Sequence, residues 1–126
     1  MRLEGFEGLA VAITKQAAHD YCECLRWMRD HAEPGVNTQE LIDFYTEERK
    51  RCKSHGARRK FTECTRQIKK YKAQSAREVE IADIEDWMHS DIFHMISEID
   101  GDELLTRIQE QLKKDPKFRV LLGDDF

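Results

Sequence analysis

Apolar side chains recur along this chain at steps of three and four residues, the spacing that places them on one face of an α-helix. The first such stripe predicts a helix over residues 9–30. It ends before Pro34 and Gly35, because proline disfavours helix in its predecessor and glycine permits the chain to reverse. Its predicted buried face consists of Leu9, Ile13, Gln16 or Ala17, Tyr21, Cys24 or Leu25, and Met28.

A second helix is predicted after Asn37, whose side chain is placed to accept a hydrogen bond from a first-turn N–H group while Glu40 reaches back. This helix continues to about Lys53. Its predicted inward side chains are Leu41, Ile42, Phe44 and Tyr45. Gly56 then predicts a turn, because glycine adopts the left-handed conformation at little cost.

The third helix is predicted to begin near Ala57. Its predicted buried face carries Phe61, Cys64, Ile68 and Tyr71. This stripe fails across residues 74–76, and a new one starts at either Val79 or Ile81. Either one long helix shifts its buried face, or two helices meet at a bend near residue 75. We favour one long helix.

Two shorter helices complete the predicted fold. Ser90 and Asp91 are typical of the start of a fourth helix, and Asp100 caps a fifth. Only six Gly and two Pro occur in 126 residues, which disfavours an all-β architecture with frequent turns. The sequence therefore predicts an all-α fold of four to six helices, with a single domain over residues 1–126 and a helical hairpin formed by the second and third helices.

The net charge of −4 conceals an uneven distribution. Residues 49–77 hold twelve Lys or Arg and one acid, a net charge of +11, whereas residues 1–48 carry −6 and residues 78–126 carry −9. A turn at Gly56 would bring the basic end of the second helix beside the basic start of the third. The candidate binding residues are Arg49, Lys50, Arg51, Lys53, Arg58, Arg59, Lys60, Lys69, Lys70 and Lys72.

Lysine and arginine concentrated on helices neutralise phosphates and release counterions, which gives salt-sensitive affinity for nucleic acid. The predicted partner is therefore nucleic acid or another phosphate-rich molecule. The alternative is that the acidic flanks neutralise the basic residues internally. At their helical spacing, Phe61 and Tyr71 are interpreted as core residues rather than as platforms for base stacking.

Two pairs of histidine and cysteine have a spacing that suits zinc. His19 and Cys22 are three residues apart in the first helix, and Cys52 and His55 are three apart at the end of the second. If the pairs faced each other, they would form a tetrahedral Cys₂His₂ site. No CxxC motif supports this site, so the main expectation is that no cofactor is bound. The competing interpretation treats the cysteines as small buried hydrophobes, with Cys24 and Cys64 facing the core.

Enzyme motifs are missing from the sequence: there is no glycine-rich phosphate loop, nucleophile elbow or HExxH. No apolar run is long enough to span a bilayer, and residues 1–5 lack the apolar core of a secretory signal. The expectation is a non-enzymatic cytosolic protein with no membrane partner.

Four short segments resemble a group of small helical proteins encoded by phages and prophages of Gram-positive bacteria. They are residues 87–93 (WMHSDIF), 100–101 (DG), 104–105 (LL) and 17–21 (AAHDY). In that group an aromatic pair precedes a basic residue and serine, a further aromatic follows, and Asp-Gly opens a terminal helix. Here Met88 and Ile92 stand where aromatics are usual, and the basic segment falls outside the resemblance. The resemblance implies a mobile element in a bacterial cytosol rather than a mechanism.

Three functional hypotheses follow from these patterns. The first is a phage-type binding protein, for example an inhibitor of a host defence nuclease, as anti-CRISPR proteins are. It would act through the basic helices or through acidic flanks that mimic DNA. The second is a self-associating structural or assembly protein whose acidic and basic faces meet in a twofold homodimer. The third is a small helical module stabilised by zinc.

Overall fold

The computed structural model describes the backbone of residues 3–120 and the side chains of residues 10–120. Across those residues the chain forms five α-helices and no strand. They are α1 (Leu3–His31), α2 (Thr38–Ser54), α3 (Arg58–Met88), α4 (Asp91–Ile96) and α5 (Gly101–Lys114). The predicted all-α fold is confirmed, and α2 and α3 pack closely as the predicted helical hairpin.

α3 is one continuous helix of 31 residues, as the favoured alternative predicted. Its first half buries Tyr71, and its last residue, Met88, is fully buried. The second apolar stripe is the one that starts at Ile81, because Ile81 packs against a buried cluster whereas Val79 is 56% exposed. A buried glutamine, Gln74, occupies the interval between the two stripes.

These helices distribute over two compact units. The hairpin unit, His31–Val79, contains the loop before α2, all of α2 and most of α3. The terminal unit combines Met1–Asp30 with Glu80–Phe126, and so contains α4, α5, nearly all of α1 and the end of α3. The extent of a single domain over residues 1–126 stays a prediction.

The core of the terminal unit is a cluster of side chains from α1, α3, α4 and α5. Tyr21, Cys22, Met88 and Phe93 have no exposed surface. Trp87 packs edge-on against Phe93, with the ring centroids 5.1 Å apart, so the end of α3 is fixed against α4. Burying an aromatic or a methionine of this size contributes roughly 1.5–3 kcal/mol each relative to an exposed position.

Three predicted helix caps are confirmed. The side-chain oxygens of Asn37, Ser90 and Asp100 accept hydrogen bonds from first-turn N–H groups at 3.1, 3.3 and 2.9 Å. The predicted turn at Gly56 is confirmed as well, with a φ of 68° that L side chains rarely adopt. These local signals set where α2, α4 and α5 begin and where the hairpin reverses.

Gly101 opens α5 where the chain passes close to the end of α3. A Cβ atom at this position would lie 2.8 Å from the carbonyl carbon of Met88 and closer still to its oxygen. The contact is with main chain, which cannot move aside as a flexible side chain can. Only glycine therefore fits between α3 and α5 here.

A hydrogen-bond network centred on Glu33 closes the hairpin unit at the end opposite Gly56. The Glu33 N–H donates to Gln74 Oε1 at 3.0 Å, and the Gln74 amide donates to the Glu33 carbonyl oxygen at 3.2 Å. The Tyr71 hydroxyl donates to the Glu33 carboxylate at 2.5 Å, which raises the pKa of Tyr71 to about 12 and lowers that of Glu33. The apolar stripe of α3 is interrupted at residue 74 because a polar side chain is needed there to bind the main chain.

The buried face predicted for α1 is wrong at Ile13, which is 42% exposed. The buried stripe runs instead through Ala10, Thr14 and Ala18, one position further along the helix. The Thr14 hydroxyl donates to the Ala10 carbonyl oxygen at 2.9 Å, so its polar group is satisfied within α1.

Two aromatics of the hairpin unit that were predicted to be buried are exposed. Phe44 is 56% exposed because it lies about 100° around α2 from Tyr45, which takes the inward position and stacks on Tyr71. Phe61 is 36% exposed, since α2 presents the Arg49 guanidinium to its ring rather than an apolar side chain. The burial predicted for Tyr71, Cys24 and Cys64 is confirmed.

Candidate nucleic-acid interface

The turn at Gly56 joins the two most basic stretches of the chain. Arg49, Lys50, Arg51 and Lys53 lie in the last turns of α2, and Arg58, Arg59 and Lys60 form the first turn of α3. The main-chain N–H of Ala57 donates to the Cys52 carbonyl oxygen at 2.9 Å, which closes the turn between them. We call this end of the hairpin unit the basic tip, residues 49–60.

Among the described side chains, ion pairs account for only part of the candidate surface, and these pairs lie within the hairpin unit. Lys50 pairs with Glu47 at 3.2 Å, Arg51 with Glu48 at 2.8 Å and Lys70 with Glu33 at 3.5 Å. The Arg49 guanidinium lies 5.9 Å from the centroid of the Phe61 ring. Six exposed basic residues form no ion pair with any described residue: Lys53, Arg58, Arg59, Lys60, Lys69 and Lys72.

The two compact units carry opposite net charge. The hairpin unit holds twelve Lys or Arg and seven Asp or Glu, a net charge of +5. The terminal unit holds nine basic and eighteen acidic residues, a net charge of −9. The acidic side chains of the hairpin unit therefore neutralise just over half of its positive charge.

The start of α3 departs from the charge pattern of the other helices. α2 and α5 place acidic residues in the first turn and basic residues in the last, which complements the helix dipole. The first turn of α3 contains no acid, and Arg58, Arg59 and Lys60 lie at the positive end of its dipole. Each such charge costs about 0.3–1 kcal/mol at low ionic strength. This arrangement is unfavourable for folding and favourable for an anion.

A polar stripe extends from the basic tip along α3. Steps of three and four residues place its members on one helix face: Arg58, Thr62, Thr65, Lys69 and Lys72. The Thr62 and Thr65 hydroxyls donate to main-chain carbonyl oxygens within the helix at 3.0 Å each. At 1.5 Å per residue, this stripe is about 21 Å long.

A cavity of about 390 Å³ opens beside Phe61 at the basic tip. The Phe61 ring, Cys52 and Gly56 line it together with the basic residues Lys53 and Arg58. An apolar surface edged by cations suits a ligand that is flat and apolar in one part and anionic in another. One local signal points to it, since the aromatic Phe61 lies between Lys60 and a run of polar residues. The helical spacing of Phe61 nevertheless favours a buried position.

The four candidate zinc ligands have other interactions. His19 Nδ1 donates to the Val120 carbonyl oxygen at 2.6 Å, and His55 Nδ1 donates to the Arg51 carbonyl oxygen at 2.8 Å. Burial raises the pKa of the Cys22 thiol, and Cys52 contacts the thiol of Cys64. In residues 10–120 no group of three or more His, Cys, Asp or Glu is arranged to hold a metal ion. The zinc site stays a prediction.

The comparisons with known proteins are negative: no protein-family model, curated protein or solved structure matches this chain. In addition, none of the described helices combines the length and apolarity needed to cross a membrane.

Proposed function

We propose that this chain is a non-enzymatic protein that binds nucleic acid through the basic tip and the polar stripe of α3. The observation that carries the proposal is the set of six exposed basic residues that form no ion pair within residues 10–120, three of which oppose the dipole of their own helix. A charged surface that only maintained solubility would gain nothing from this placement. An anionic partner would stabilise it.

The affinity expected from such a surface is electrostatic and depends on salt. If all six residues contact phosphates, the logarithm of the binding constant should fall with the logarithm of salt concentration with a slope of about −4 to −5. Three of the ten candidate residues already have acidic partners, so they are expected to contribute less. Sequence preference is expected to be weak, because phosphate contacts carry no base information.

Fluorescence anisotropy with a labelled oligonucleotide tests this proposal. Replacing Lys69 and Lys72 with glutamine should weaken binding and make the salt slope less steep by roughly 1.5. The matched control replaces Lys113 and Lys114, two exposed lysines of α5, and changes net charge equally. If binding is undetectable at about 50 mM salt, or both pairs of substitutions weaken it equally, the proposal is wrong.

The resemblance to phage-encoded proteins makes inhibition of a host defence nuclease a specific form of this proposal. Its partner would be a nucleic-acid-handling protein such as a CRISPR effector, and the terminal unit, with a net charge of −9, would be the candidate DNA mimic. The assay is cleavage of a target duplex by the effector with this protein in excess. Undiminished cleavage would exclude that nuclease as the target.

A second candidate function is self-association, which the opposite charges of the two units favour. Basic tips meeting acidic surfaces of a second copy would give a homodimer that weakens as salt rises. Light scattering across protein concentration at low and high salt tests it. A monomeric mass under all conditions would argue against this function.

A further inference from the structure

We propose that Phe61 stacks on an unpaired base, so that the nucleic acid bound at the basic tip is single-stranded there. This inference rests on the function proposed above and specifies the substrate class for the same surface. Three features of the tip support it: the exposure of Phe61, the cavity beside it, and the cations around that cavity.

The exposure of Phe61 is unusual for its position on α3. Ile68 and Tyr71 lie on the same apolar stripe and are each 4% exposed, whereas Phe61 is 36% exposed. Leaving about a third of the surface of Phe61 in water gives up part of the free energy that its burial would contribute. A planar ligand that covers the ring would recover it.

The cavity has dimensions and a lining that suit a nucleobase. Its volume of about 390 Å³ falls within the range of roughly 300–1,000 Å³ in which proteins hold small ligands. Phe61 and Cys52 contribute apolar surface, and Gly56 adds main chain without a side chain to obstruct entry. The cavity is open to solvent, so a base can reach the Phe61 ring from outside.

The charges around the cavity complement the phosphates that flank a base. Lys53 and Arg58 line it and have no ion pair with a described residue. Arg49 lies 5.9 Å from the Phe61 centroid, within the range of a cation–π contact. Guanidinium planes and aromatic rings are the two side-chain surfaces on which single-stranded bases stack.

A duplex does not offer this contact, because its bases are already stacked on one another. Extruding a base from a duplex costs free energy, whereas an unpaired base needs no such step. The phosphates of a duplex would still reach the lysines of the polar stripe. Phe61 is therefore expected to contribute to the affinity for single strands but not for duplexes, whereas the basic residues contribute to both.

The test compares Phe61→Leu with Phe44→Leu, a matched control on an exposed aromatic of the same unit that lies outside the cavity. The probes are a labelled thymidine oligomer of about 12 nucleotides, the same length with abasic positions, and a duplex. Phe61→Leu should weaken binding to the thymidine oligomer by about fivefold to a hundredfold and leave the other two probes unchanged. Phe44→Leu should bind all three as the parent does.

Phe61→Trp provides a second measurement, because it keeps an aromatic face and should preserve affinity for the thymidine oligomer. This inference alone would be overturned if Phe61→Leu bound that oligomer as the parent does while replacement of Lys69 and Lys72 with glutamine still weakened binding. Equal weakening of the thymidine, abasic and duplex probes would overturn it too. If the parent protein binds none of the probes, the proposed function and this inference both fail.

Discussion

Replacing Arg58, Arg59 and Lys60 together with glutamine is expected to stabilise the protein while weakening its binding to nucleic acid. Substitutions at surface positions that contribute only to folding usually lower the stability or leave it unchanged. The expectation follows from the position of these three cations in the first turn of α3, where the helix dipole is positive and no acidic residue is present.

The magnitude can be worked from the helix dipole. Each cation costs about 0.3–1 kcal/mol at low ionic strength, and exposure favours the lower part of that range. The triple substitution should raise the free energy of unfolding by about 1–2 kcal/mol, or the Tm of a chain of this length by roughly 3–8 °C. Loss of three phosphate contacts should make the salt slope for a single strand less steep by about 2.

Differential scanning calorimetry at low and high salt measures the stability, and fluorescence anisotropy measures the binding. The gain in Tm should shrink at high salt, because exposed charges are screened. The control is Lys113→Gln, Lys114→Gln and Lys117→Gln, with the same change in net charge. Lys113 and Lys114 lie in the last turn of α5, where cations are favourable, so this variant should be slightly destabilised and should bind as the parent does.

The outcome that refutes the reasoning is a lower Tm for the triple substitution at Arg58, Arg59 and Lys60. Such a result would mean that these side chains make stabilising contacts within the protein. A raised Tm with unchanged binding would agree with the unfavourable interaction between these cations and the helix dipole. It would also show that these three residues do not contact nucleic acid. The two measurements therefore separate the electrostatics of the fold from the function.

Three further predictions concern groups outside the basic tip. Gly101→Ala should lower the free energy of unfolding by about 1–3 kcal/mol in urea, because its Cβ meets the main chain at the end of α3; an unchanged denaturation midpoint would refute this contact. A hydrogen bond to Asp102 raises the pKa of His89 above its ordinary 6.5. The contribution of protonated His89 to the stability of the fold is therefore complete below pH 6.5 and is lost as the pH rises through the raised pKa. In an NMR titration Asp102→Asn should return the His89 pKa towards 6.5, and a histidine that titrates identically in both proteins would contradict the contact. Ultraviolet titration should find Tyr71 ionising near pH 12, and Glu33→Gln should lower that pKa; equal curves for parent and variant would exclude the hydrogen bond.

Much of the fold follows from local signals in the sequence. Asn37, Ser90 and Asp100 cap helices because a short polar side chain reaches a first-turn N–H group, a requirement that needs no tertiary information. The exposure of Ile13 could not be predicted in this way. The spacing of apolar residues locates the buried face of a helix only to within about one residue. Here the small residues Ala10 and Ala18 are buried in place of the larger Ile13.

The interruption at Gln74 was visible in the sequence, but its cause was not. A glutamine in an apolar stripe indicates either a bend or a buried polar partner. Here the partner is the main chain of Glu33, 41 residues away, and a contact of that separation leaves no local pattern. α3 continues without a bend through residue 74 because the polar group of Gln74 is hydrogen-bonded to the main chain of Glu33.

The sequence predicts which residues form the candidate surface, but it does not predict how their side chains are arranged. The basic residues on either side of Gly56 follow from composition and a turn signal. Their partners follow only in part: Glu47 lies three residues before Lys50 on the same helix, a local pair, whereas the pairing of Lys70 with Glu33, 37 residues away, depends on packing. The spacing of Phe61 predicts a core position, whereas its exposure depends on Arg49 being the side chain that α2 presents to it.

The separation of charge between the two units has a practical consequence for handling this protein. A sequence pI near 5.7 predicts that it passes through a cation exchanger at neutral pH. Six basic residues of the hairpin unit have no ion pair in the part of the chain that the structure describes. They present a local positive surface that such a resin holds despite the overall negative charge. The same preparation should also be retained on an anion exchanger through its terminal unit, and the order of elution in salt would report which surface is the stronger.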